Sequence, residues 1–109
     1  MDYSDLTRNF NHADYQYEII MDKIRNFEEQ LDDNHEIALN LASFGTNKTM
    51  RVTDIGYHNP NLIFFYGIVD DRESTLIQHV SQLNFLLTSV EKPDPAKPPV
   101  RIGFDTTPA

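Results

Sequence analysis

Cysteine is absent from this chain of 109 residues. That excludes a disulfide framework, a thiolate nucleophile and any zinc site that needs Cys, and it suits a reducing cytoplasm. Basic residues are few: 9 Lys and Arg stand against 17 Asp and Glu, for a net charge of −8. Because Lys and Arg must replace the counterions of a phosphate backbone, duplex DNA or RNA is not an expected partner. Long apolar runs are also missing. The stretches Asn61-Leu-Ile-Phe-Phe-Tyr66 and Phe85-Leu-Leu87 fall far short of the roughly 20 residues that span a bilayer. The acidic N-terminus lacks the basic flank of a signal peptide. The expectation is a soluble, cytoplasmic protein with no membrane partner, and the length sets a single domain over residues 1–109.

The acid is concentrated. Residues 1–40 hold 10 acids and 3 bases, residues 41–90 hold 4 and 3, and residues 91–109 hold 3 and 3. Repulsion from a local field fades over about 8 to 10 Å at ordinary salt. An anionic ligand is therefore expected in the middle or C-terminal part.

No glycine precedes Gly45 and no proline precedes Pro60, so nothing interrupts the first third of the chain. There Phe10, Ala13, Tyr17, Ile20, Ile24, Phe27 and Leu31 alternate in steps of three and four, which a helix turns into one apolar stripe. The spacing predicts a long amphipathic helix over about 10–32, ended by the turn chemistry of Asp32-Asp-Asn34. From 36 to 78 the period falls to two, and turn clusters divide the segment into four strands. A slip of phase near Asp54-Ile-Gly56 predicts a bulge. Leu62–Val69 is apolar on both faces, as a central strand covered on both sides would be. Short loops imply an antiparallel meander.

Beyond Gln78 the residues Val80, Leu83, Leu87 and Val90 return to helical spacing, which predicts a second helix over about 79–90. Pro93, Pro95, Pro98 and Pro99 then hold an extended arm over 91–109, and Val100, Ile102 and Phe104 give it an apolar edge that docks on its own domain or a neighbour's. The predicted fold is α+β: long N-terminal helix, four-stranded antiparallel meander, second helix, Pro-rich C-terminal arm. Both helices on one face would leave part of the other face bare, and a partner subunit is the simplest cover.

Searches for chemistry mostly fail. Gly45-Thr-Asn-Lys-Thr49 has the end of a phosphate loop without its earlier glycines, and it joins two strands where that loop needs a helix N-terminus. His12, His35, His58 and His79 lack metal-ligand spacing, so no metal is expected. His79 beside Ser81 has no Gly-x-Ser-x-Gly context. The pairs Asp32/Asp33 and Asp70/Asp71 read as turn residues rather than as paired catalytic acids. Asn47-Lys-Thr49 is a coincidental glycosylation sequon. The expectation is a protein with no catalytic residues, no cofactor and no enzymatic activity.

A recognition cluster remains. His79, Gln82 and Asn84 lie around the start of the expected second helix, whose free N–H groups and dipole favour an anion. Arg101 follows on the arm with Phe104 beside it. Amides read base edges, Arg grips phosphate in a two-pronged fashion and an aromatic stacks on a ring, which together suit a small nucleotide. The plain alternative makes Gln82 and Asn84 exposed helix positions, His79 a junction residue and Arg101 a surface ion pair. Tyr57 and Tyr66 admit both a ligand-facing and a core reading.

The stretches Leu41-Ala-Ser-Phe-Gly45, Asp54-Ile-Gly-Tyr-His-Asn-Pro60, Leu76-Ile-Gln-His-Val-Ser-Gln-Leu-Asn-Phe-Leu-Leu87 and Lys97-Pro-Pro-Val-Arg-Ile-Gly-Phe104 resemble a small bacterial and phage family. It is that of the first-described Thoeris anti-defence proteins, sponges that hold the cyclic ADP-ribose signal of TIR-domain enzymes without cleaving it. The resemblance implies a non-catalytic phage anti-defence protein in the host cytoplasm, a homo-oligomer built of dimers, and signal pockets near subunit interfaces. It further implies separate pockets in some members for cyclic oligonucleotides. Asn84 and Arg101 fall within the resembling motifs; His79, Gln82 and Phe104 are placed by position. On this reading Arg101→Ala weakens ligand binding and leaves the fold intact. Two other classes stay open: an inhibitor of a host protein that uses the acidic helix as a nucleic-acid mimic, and an assembly module with no small-molecule ligand.

Overall fold

The computed structural model describes residues 12–41 and 47–102. Phe104 and the outer part of the arm therefore lie outside the described residues, as do Phe10, Gly45 and Thr46. The described elements are a helix α1 (Ala13–Glu28) and strands β1 (His35–Leu41), β2 (Lys48–His58), β3 (Leu62–Val69), β4 (Arg72–His79) and β5 (Leu86–Glu91). The strands form one antiparallel sheet in the order β4-β3-β2-β1-β5.

This corrects the expected fold: the sheet has five strands instead of four, and no second helix stands at 79–90 among the described residues. That segment holds a single turn of 3-10 helix (Val80–Gln82), a crossing connection and β5. The physical reason lies in β1, whose residues Glu36 to Leu39 are buried. Were β1 an edge strand, its outer N–H and C=O groups would lack partners. β5 supplies them, from His35 opposite Glu91 to Asn40 opposite Leu86. The same letters also carry a period of two, with Leu83, Phe85 and Leu87 half-buried and Asn84 and Leu86 exposed. A short apolar run fits both periods, and the unpaired edge decides between them.

α1 is shorter than its apolar stripe and ends at Glu28, with Leu31 still packed on the core. Its start is held by the β2–β3 turn: the Ala13 N–H donates to the Pro60 carbonyl at 2.7 Å and the Asp14 N–H to Asn59 Oδ1 at 2.9 Å. The turn thereby satisfies N–H groups that a helix cannot satisfy itself. Tyr17, Ile20, Ile24 and Phe27 pack over Ile37, Leu39, Met50, Val52, Ile55, Ile63 and Phe65. Because β4 and β5 are the two edges of the sheet, the 83–85 connection must cross from one side to the other. The Phe85 ring meets the Phe65 ring edge-on at 5.2 Å, so it crosses on the face that carries α1.

The register of β2 with β3 shifts between Val52 and Asp54, just ahead of the phase slip seen in the sequence. Beside it Gly67 is obligatory, since a Cβ there would overlap the Arg51 carbonyl oxygen and press on Val52 Cα at 3.0 Å. The chain itself covers Leu62–Val69 on one face only, and the other is the face where the sequence expects a partner subunit. Ile63, Phe65 and Gly67 are buried beneath α1, whereas on the other face Phe64 and Ile68 are half-buried and Tyr66 is 39% exposed. Register places Ile77, opposite Phe64, and Leu86, opposite Asn40, on that same open face, 61% and 68% exposed.

The arm docks on its own domain over its described part. Glu36 accepts the Val100 N–H at 2.7 Å, and Glu28 accepts the Ile102 N–H at 2.9 Å. Between them Arg101 donates to the carbonyls of His35 and Asp32 at 2.7 and 3.0 Å. Among the described residues no helix is long and apolar enough to cross a membrane.

Candidate functional site

Of the five residues expected to form one site, the four described are not brought together within one chain. His79 ends β4, where its Nδ1 accepts from the Ser81 N–H at 3.1 Å and lies 2.8 Å from the Ser81 hydroxyl. It borders a hollow of about 500 Å³ shared with His12, Gln16, Pro60, Asn61, Val80 and Ser81. Gln82 closes the 3-10 turn and Asn84 lies in the connection, both exposed. With no α-helix starting there, the row of free N–H groups expected to hold an anion does not form.

Arg101 lies elsewhere, at the junction of α1 and β1, and β2 and β3 separate β1 from β4. Its two terminal nitrogens are occupied by main-chain carbonyls. The residue thus works as a clip on its own chain, so its loss is expected to weaken the fold. Phe104 lies outside the described residues.

At the same junction the Asp32 carboxyl is held below its ordinary range. Hydrogen bonds from His35 and from the Asn34 N–H are the main causes. Under α1 the Tyr17 ring tilts against Tyr57 at 4.9 Å, and burial, followed by the nearby Asp54 charge, raises its phenol above 10.0.

Two further hollows come from the folding of the sheet. On the open face Thr53, Tyr66, Gly67, Ile68, Glu73, Ser74 and Thr75 surround about 440 Å³. Phe64 and Tyr66 stand side by side there, with ring centres 6.3 Å apart and planes inclined by 39°. Arg51, opposite Ile68, lies on the same face and is joined to the buried Glu36 at 3.1 Å. The other hollow, of about 540 Å³, opens on the α1 side near Lys48 and Arg72. In the sequence, Phe64 and Tyr66 belonged to an unbroken apolar run; the signal that could have singled them out was their shared parity on β3.

Among the described residues no cluster of three or more His, Cys, Asp or Glu is arranged to hold a metal ion. Among the described residues, one α-helix backs a five-stranded antiparallel sheet whose other face is exposed at Tyr66, Ile77 and Leu86. Over residues 10–105 the chain matches a family of unknown function, DUF6173, and it belongs to that family. No curated protein and no solved structure matches it.

Proposed function

We propose that the protein is a non-catalytic binding protein. Two or more copies join through the open face of the sheet, and the assembly sequesters a cyclic nucleotide signal, of the glycocyclic ADP-ribose type, in the hollow beside Tyr66. The observation that carries this reading is the pair of rings Phe64 and Tyr66 on an uncovered apolar face. Exposed apolar patches of this kind mark binding surfaces. Base stacking on an aromatic ring contributes about 1 to 3 kcal/mol. A second copy closing over the face strengthens that contact by excluding water. Arg51, not Arg101, is the guanidinium that shares this face. A sponge has to lower the free signal, so nanomolar affinity, about −12 kcal/mol, is the relevant scale.

A second reading is an interaction or inhibitor protein that uses the same face on a host protein, with no small-molecule ligand. The large exposure of Ile77 and Leu86 favours it. A thermal-shift panel of cyclic ADP-ribose isomers, cyclic di- and trinucleotides and linear ADP-ribose separates the two. The sponge reading expects a large shift from one cyclic compound, recovered intact after heating. A flat panel removes the sponge and leaves the protein partner.

A further inference from the structure

α1 covers only part of its face of the sheet. It starts against the β2–β3 turn and ends where β1 begins, so the opposite ends of β1 to β4 lie beyond it. There Leu41, Met50, Val69 and Leu76 form an aliphatic floor, with Leu41 and Met50 only 4% and 1% exposed. Lys48, Asp70, Arg72, Ser74 and Thr75 form the rim of the 540 Å³ hollow. Its size falls within the roughly 300 to 1,000 Å³ of small-molecule sites, and an apolar floor with a few polar groups is their usual chemistry.

The charges on the rim are unequal in what they can offer. Lys48 Nζ donates to Asp70 at 2.5 Å, so that cation is already neutralised. Asp70 is fixed in place by a turn in which both Asp70 and Asp71 adopt left-handed backbone, φ 50° and 65°. The Arg72 guanidinium, in contrast, has no hydrogen-bond or ion-pair partner among the described residues. A planar guanidinium with free N–H groups matches a carboxylate in a two-pronged contact.

We propose that this hollow is a binding site for a small aliphatic monocarboxylate, its chain against Val69 and Leu76, with Leu41 and Met50 behind them, and its carboxylate on Arg72. One uncommitted cation suits a single negative charge better than a polyphosphate. The described walls hold no aromatic ring, which disfavours a nucleobase. Ser74 stands on the same face as Arg72, and its hydroxyl donates to the Arg72 carbonyl at 3.1 Å. The site is distinct from the open face and does not depend on the function proposed there.

Isothermal titration of the full chain with octanoate, octanol and acetate tests this site, with Arg72→Gln as the variant. Arg72 is exposed, so its replacement leaves the core untouched. Octanoate is expected to bind, with octanol and acetate each weaker by about tenfold or more, and Arg72→Gln is expected to weaken octanoate by about tenfold. Tyr66→Ser, on the other face, is expected to leave octanoate binding unchanged. Failure of octanoate to bind, equal binding of octanol, or unchanged affinity in Arg72→Gln overturns the proposal.

Discussion

The carboxylate of Glu28, at the end of the helix, accepts the backbone N–H of Ile102 at 2.9 Å across 74 positions of sequence, although Glu28 is only 2% exposed. A buried carboxylate without donors is costly. The C-terminal arm is therefore part of how the helix end is stabilised. Replacing Glu28 with Leu should cost about 1 to 3 kcal/mol by leaving the Ile102 N–H without its acceptor. Glu28→Gln, which keeps an acceptor oxygen, should cost less, and urea unfolding of both variants checks the order.

Arg101→Ala removes the donors that join the arm to the carbonyls of His35 and Asp32. It should lower stability by about 1 to 3 kcal/mol and speed amide exchange at Val100 and Ile102. A variant with unchanged exchange and weakened ligand binding would return Arg101 to the recognition role that the sequence gives it.

Gly67→Ala should destabilise by more than about 1 kcal/mol, the scale of the glycine entropy gain that normally offsets such a change. The Arg51 carbonyl occupies the space that a Cβ needs, and a main-chain atom cannot swing aside. Thermal unfolding measures the loss, and a neutral result would mean that the β2–β3 bulge yields.

Asp32 gives a pH signature. Its folded pKa is lowered by His35 and the Asn34 N–H, so its contribution to stability is present above the unfolded value of about 3.9. It is lost as pH falls through the lower folded value. Asp32→Asn should flatten that acid limb of a stability-against-pH curve, and an unchanged acid limb would remove Asp32 as its source.

Ile77→Lys places a charge on the open face without touching the core, since Ile77 is 61% exposed. It should shift the mass measured by light scattering to that of a single chain and lower the thermal midpoint only by what association contributes, with the circular dichroism spectrum unchanged. Unchanged assembly would move the contact away from β4.

Much of this fold is legible in the sequence through period and punctuation. The helix stripe from Ala13 to Leu31 and the turns at Asn59-Pro60 and Asp70-Asp71 mark where elements begin and end. β5 was hidden because Val80, Leu83, Leu87 and Val90 satisfy a helical period as well as Leu83, Phe85 and Leu87 satisfy a strand's. Only the edge of β1, a tertiary fact, chooses between them. The candidate sites were less legible. Arg101 looks the same in sequence whether it grips a phosphate or two carbonyls. The side-by-side placement of Phe64 and Tyr66 needs the strand's alternation, which an apolar run conceals.

Native mass spectrometry of the full chain, with the cyclic nucleotide that gives the largest thermal shift, tests the central claim most directly because it reads assembly and ligand together. The account predicts an oligomer that retains intact cyclic nucleotide and loses both assembly and ligand in Ile77→Lys. A single chain that holds the nucleotide, or an oligomer that holds none with any compound of the panel, would contradict it.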